Sequence, residues 1–139
     1  MLIDNPTLKI FTTIKLNKKF MTEAMNLKRA IDTEFLRSII DNDKEFEKEL
    51  FAIFAENAQR NIVKMEDAIK SSDNNSWYMA SHAFKGAASS IGAFDLSKAL
   101  EYAQKHPEEE AQKKMSVLNN VREELRHVLD FINQELLSK

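Results

Sequence analysis

Cysteine is absent from this chain of 139 residues, and glycine and proline occur only twice each, as Gly86, Gly92, Pro6 and Pro107. Neither a disulfide framework nor a cysteine-ligated zinc site can form. So few turn formers exclude an all-β domain of tight hairpins, and also the Gly-rich phosphate loops of P-loop and dinucleotide-binding proteins. No run approaches the roughly 20 apolar residues that span a bilayer, and the N-terminus lacks the apolar stretch of a secretory signal. What remains, 43% apolar and 30% charged residues, suits a soluble helical domain. It is expected to be cytoplasmic and without membrane contact.

The formal charge of -2 is unevenly spread. Residues 1–30 carry Lys9, Lys15, Lys18, Lys19, Lys28 and Arg29 against Asp4 and Glu23, a local charge of +4 that leaves -6 on the rest. An acidic body disfavours nucleic acid as a partner, and the basic head reads first as a solvated leader. The length fits one domain with a single core. Residues 1–30 are therefore taken as a basic extension that the pattern leaves undefined, and residues 31–139 as the domain proper.

Thr7 to Leu16 shows no clear helical period and is assigned no element. From Met21 to Ile40, Met25, Leu27, Ile31, Phe35, Leu36, Ile39 and Ile40 form a rough helical stripe ended by Asp41-Asn42-Asp43. Asp43 then caps a long helix whose apolar face is Phe46, Leu50, Ile53, Phe54, Ala58, Ile62, Met65 and Ile69. A polar turn over residues 71–76 leads to a third helix from near Ser76 to Ile91, with Gly92 as its left-handed C′ residue. Asp95 is expected to cap a fourth helix with the stripe Leu96, Ala99, Leu100 and Ala103. Pro107 followed by Glu108, Glu109 and Glu110 predicts the start of the last helix. Its stripe is Ala111, Met115, Leu118, Leu125, Val128, Leu129, Ile132 and Leu136. Short connections between such helices imply an all-α, antiparallel up-down four-helix bundle with an additional N-terminal helical segment.

The third helix carries the chemistry. On a wheel of about 100° per residue with His82 at zero, Trp77, Ala80, Phe84, Ala87, Ala88 and Ile91 fall between roughly 140° and 240°. His82 therefore points to water. Gly86, Lys85, Ser89, Tyr78 and Met79 surround it. A glycine on the solvent face of a helix interior costs roughly 1 kcal/mol relative to alanine, and Gly86 gains nothing from the core in return. One turn beyond His82, the missing side chain clears room for a macromolecule to reach the imidazole.

Lys85 is placed to neutralise an anion on that imidazole, and Ser89 to donate to its oxygens. An imidazole ordinarily titrates near pH 6.5, so much of it is a neutral nucleophile near pH 7. With no second acid or base close in sequence, a phosphoryl acceptor and donor fits better than a hydrolytic triad. In an antiparallel hairpin around Gly92, His82 and Gln104 lie about 15 and 18 Å from the turn at about 1.5 Å per residue, hence at similar heights. Gln104 is thereby placed to hold the ring by a hydrogen bond.

The run His82-Ala83-Phe84-Lys85-Gly86-Ala87-Ala88-Ser89-Ser90-Ile91-Gly92-Ala93 resembles the histidine phosphotransfer (HPt) signature H-x-x-K-G-x-x-x-x-x-G-A. Leu100-Glu101 downstream, and Phe51-Ala52-Ile53-Phe54 with Ala68 and Asp73 upstream, are similar to the same pattern. The likeness covers about residues 31–139, with Phe84 where the family usually has leucine. It implies a four-helix bundle whose histidine is phosphorylated from a receiver aspartate and passes the group to another. It carries over His82 as the phosphorylated residue, Lys85 and Gly86 as its neighbours, and Gln104 as the side chain some members place against the ring. It places Mg²⁺ and the acidic pocket on the receiver, and no cofactor in this chain. The implied partners are response-regulator receiver domains, including those of hybrid sensor kinases, and the chain is expected to be a monomer.

In-line transfer asks of this partner an exposed nucleophile, a nearby positive charge and room. Tyr78 and Met79 are candidates for an apolar docking rim. His106 and His127 read as surface histidines, Phe46, Phe51, Phe54 and Trp77 as core, and Glu108–Glu110 as a helix-dipole feature without metal. Two rivals stand beside the carrier: a non-catalytic bundle adaptor that binds receivers without phosphotransfer, and an autophosphorylating kinase fragment, which the lack of a nucleotide motif opposes.

Overall fold

The computed structural model describes residues 30–137. The Thr7–Leu16 stretch, the basic head and the first part of the 21–40 stripe lie outside the described residues. Within them are helices α1 (Thr33–Ile39), α2 (Lys44–Lys70), α3 (Asn74–Ser90), α4 (Phe94–Lys105) and α5 (Ala111–Leu137). Short connections reverse the chain between α2, α3, α4 and α5. Helices α2 to α5 pack in a closed ring, each against its two neighbours, the up-down four-helix bundle of the sequence pattern.

Aspartates set three of the helix starts. Asp32, Asp43 and Asp73 each accept the backbone N–H three residues on, from Phe35 at 3.0 Å, Phe46 at 3.1 Å and Ser76 at 3.0 Å, which satisfies a donor the helix cannot. Ser76 Oγ also donates to Asp73, and these bonds hold the Asp73 carboxyl below its ordinary range. Three boundaries thereby differ from expectation. In its described part the stripe expected over 21–40 is not one continuous helix, because Asp32 is extended and caps α1 afresh. Helix α3 begins at Asn74 rather than near Ser76, because Asp73 takes the cap. Asp95 is not a cap: α4 begins at Phe94 behind Ala93, which offers no side-chain bond, and Asp95 sits in the first turn.

The last helix is also corrected. Pro107 to Glu110 form the turn itself, with Glu109 N–H donating to the His106 carbonyl at 3.4 Å, and α5 starts at Ala111. That start turns Lys114, Leu118, Val121, Leu125, Val128 and Ile132 inward. Met115, about 100° round from Lys114, is exposed, as is Leu136 in the final turn. In α2 the buried face centres on Phe51, Phe54, Ala58 and Met65, and Phe46 and Ile53 lie outside it, exposed.

Lys114 is 3% exposed. Its Nζ donates to Asn74 Oδ1 at 2.6 Å and stands 5.4 Å from the Trp77 ring centroid. Burial pushes its pKa down, partly offset by Asp73. This contact ties the start of α5 to the start of α3.

Helices α2 and α5, of 27 residues each, outrun the 17-residue α3 and 12-residue α4. At the end they leave open, α1 closes the core. Leu36 is fully buried there, Phe35 meets Phe94 edge-on at 5.1 Å, and Arg37 bonds Glu47 of α2 and Glu135 of α5 at 3.0 Å each. Asp32 N–H donates to the Gly92 carbonyl at 2.8 Å. Gly92 has φ +82°, and a Cβ there would lie 2.9 Å from the Asp32 carbonyl oxygen, so both backbone hand and space demand glycine.

Candidate functional site

Helix α3 divides as its sequence pattern predicts. Trp77, Ala80, Phe84 and Ala88 are buried in the core, Phe84 against Phe54 with ring centroids 6.3 Å apart. His82, on the opposite face, is exposed. Neither of its ring nitrogens has a hydrogen bond or ion pair among the described residues, and the ring stacks on Tyr78, one turn earlier, at 5.9 Å and 5°.

The other two histidines are engaged. His106 Nδ1 meets the Tyr102 carbonyl at 2.8 Å and stacks on the Tyr102 ring. His127 is half-buried between Glu123 and Glu124, its nitrogens 3.5 and 3.8 Å from their oxygens. Tyr78 and Met79 are exposed beside His82. An open groove between α2 and α3, lined by Lys64, Asp67, Met79 and Ala83 among others, runs alongside.

The expected neighbours of His82 fall into three groups. Gly86 is open: nothing lies within 4 Å of where its Cβ would stand. Lys85 is half-buried and already paired, its Nζ 3.6 Å from Glu101 Oε1 of α4. Lys105 shares the same oxygen at 3.7 Å. Ser89 does not face His82, because its hydroxyl bonds Ser97 of α4 at 2.6 Å. Its expected donation to a group on His82 is therefore replaced by a bond that holds the two helices together.

Contacts across the seam fix the register. Ser89 meets Ser97 and Lys85 meets Glu101, so four residues back along α3 match four forward along α4. Three more in each direction bring His82 level with Gln104, as the hairpin geometry predicts. The Trp77 indole bonds the Ala103 carbonyl at 2.9 Å and holds this end of the seam. The expected hydrogen bond from Gln104 to the His82 ring is nevertheless not formed. Gln104 Oε1 is buried and without a partner, which means that the carbonyl end of the amide is turned inward.

Glu101 is a residue beside the site whose role sequence reasoning missed. Glu101 shows its role only once the α3–α4 register is known. Ser81, which precedes His82, is fully buried with an unpaired Oγ. Among the described residues no group of three or more His, Cys, Asp or Glu forms a metal site, and no helix is long and apolar enough to cross a membrane.

Comparison with curated proteins and with solved structures gave no match. The family model of the Hpt domain matches residues 49–135. Hpt domains are the phosphocarrier modules of histidine phosphorelays, and their partners are response-regulator receiver domains. With more than half its length matched, this chain belongs to the Hpt domain family.

Proposed function

We propose that His82 takes a phosphoryl group from the aspartyl phosphate of one receiver domain and passes it to the aspartate of another. The observation that carries this reading is the imidazole itself: exposed, with both nitrogens unpaired, beside the open surface of Gly86. A ring-nitrogen lone pair attacks phosphorus, the N–P bond forms as the P–O bond to aspartate breaks, and aspartate leaves as carboxylate. The proton on the other ring nitrogen stays there through the attack. The reverse sequence on a second receiver discharges the histidine.

Lys85 supplies positive charge to the transferring group, and Gly86 admits the receiver's backbone. Tyr78 and Met79 form an apolar rim for docking. Mg²⁺ belongs to the receiver, the donor receiver is of the kind found in hybrid sensor kinases, and the chain works as a monomer. Exposure of His82 favours the carrier over an adaptor that only binds.

Incubation with a phosphorylated receiver domain tests the proposal. Acid-labile, alkali-stable label is expected on the wild type and not on His82→Gln. Receiver binding without label, or equal labelling of His82→Gln, overturns it.

A further inference from the structure

Among the described residues, the His82 imidazole has no ring contact, hydrogen bond or ion pair other than its stack on Tyr78, at 5.9 Å between centroids and 5° between planes. Gln104, Ser89 and Lys85 do not hold it, since the amide oxygen is turned inward, the hydroxyl bonds Ser97 and the ammonium pairs with Glu101. Both tyrosines of the chain stand four residues before a histidine, Tyr78 before His82 and Tyr102 before His106. The two pairs differ in one respect. His106 closes α4, where its backbone N–H turns to the Ala103 carbonyl and its Nδ1 meets that of Tyr102 at 2.8 Å. His82 lies inside α3, where the helix gives the Tyr78 carbonyl to the His82 backbone N–H. Tyr78 therefore lends His82 a ring face and occupies neither ring nitrogen.

We infer that Tyr78 is a positioning residue for the nucleophile: its ring holds the imidazole back over the preceding turn and aims the nitrogen-bearing edge at an incoming phosphoryl group. The inference rests on the proposed transfer at His82 and gives Tyr78 a second task besides the docking rim. Side chains on a helix lean toward its N-terminus, so His82 leans over Tyr78 and away from the open surface of Gly86, one turn further on. A parallel stack covers a face of the imidazole and leaves its edge free. An exposed imidazole otherwise turns about two side-chain bonds, whereas in-line attack on a phosphorus fixed in a receiver needs the lone pair aimed. Stacking supplies that aim without a hydrogen bond that would tie up a nitrogen.

Tyr78→Leu keeps the apolar bulk and removes the aromatic ring, whereas Tyr78→Phe keeps the ring. In proton spectra the His82 ring C–H signals are expected to be displaced by the ring current of residue 78 in the wild type and Tyr78→Phe, and to return to ordinary positions in Tyr78→Leu. In single-turnover transfer from a phosphorylated receiver, the rate at saturating receiver falls roughly two- to tenfold in Tyr78→Leu and recovers in Tyr78→Phe, with half-saturation unchanged in both. Phosphoramidate, a small donor free to approach the ring from any side, loads all three proteins at rates within about twofold of one another. Ring signals alike in the wild type and Tyr78→Leu overturn the inference, as does a Tyr78→Leu loss confined to half-saturation. A wild type that takes no label from any receiver removes the carrier reading and this inference with it. An unchanged saturating rate in a Tyr78→Leu protein that does take label removes this inference alone.

Discussion

Lys85 of α3 and Glu101 of α4 are paired across the helix seam, Nζ to Oε1 at 3.6 Å, beside the exposed His82. In the proposed transfer, a phosphoryl group on His82 competes for Lys85 with a carboxylate that Lys105 also shares.

Releasing that competition should be visible in rates. With Glu101→Gln, phosphoryl uptake is expected to rise about two- to fivefold, the scale of a partly exposed ion pair. Lys85→Met should slow uptake roughly tenfold, because a charge-assisted contact to the transferring group is lost. Single-turnover transfer from a phosphorylated receiver measures both. Urea midpoints should show neither variant moving stability by more than about 1 kcal/mol.

Gly86 separates stability from function. Its Cβ position is empty, so Gly86→Ala should stabilise the protein by about 0.5–1 kcal/mol through helix propensity. Gly86→Leu should fold as well and yet lose at least about tenfold in transfer, since its side chain stands where the receiver must approach. Thermal unfolding and transfer kinetics on the same two variants check the divergence.

Gly92→Ala should act in the opposite way. Its left-handed φ of +82° and the 2.9 Å approach to the Asp32 carbonyl predict a cost of about 1–3 kcal/mol. The Asp32 amide, bonded to the Gly92 carbonyl, should exchange hydrogen faster. His82 should still be phosphorylated by phosphoramidate, because it lies ten residues before Gly92 and the strained turn.

Lys114 gives stability a dependence on alkaline pH. Burial lowers its folded pKa below the ordinary 10.5. Between the two values the unfolded chain holds a proton that the folded one has released, so stability rises with pH through that window. Lys114→Met should flatten this rise and be tolerated at pH 7, since it removes a buried charge while keeping the volume. Urea unfolding from pH 7 to pH 10.5 checks it.

The faces of the helices were legible in the sequence where one apolar stripe dominates. Trp77, Ala80, Phe84 and Ala88 read as core and His82 as exposed from periodicity alone, because packing rewards only that rotation of α3. Boundaries were harder wherever several residues qualify for one role. Asp73 and Ser76 both suit an N-cap, and the carboxylate wins by bonding the backbone N–H and hydroxyl of Ser76. Pro107 suits a first helical turn and also an ordinary turn, and the position of Lys114 against Asn74 and Trp77 goes with the second. The relation of His82, Lys85 and Gly86 was local and so readable. The engagement of Ser89 with Ser97, of Lys85 with Glu101, and the inward turn of Gln104 depend on the register of two helices, which no single-helix pattern contains.

The indole of Trp77, the only tryptophan in the chain, is fully buried and bonded to the Ala103 carbonyl. The protein thus carries a native fluorophore at the helix seam, on the face of α3 opposite His82. Emission should stay blue-shifted as long as α3 and α4 remain joined and move to the red when they part. The proposed loading and unloading of His82 can therefore be followed by label while the same sample reports, optically and without any added dye, that the scaffold has not opened.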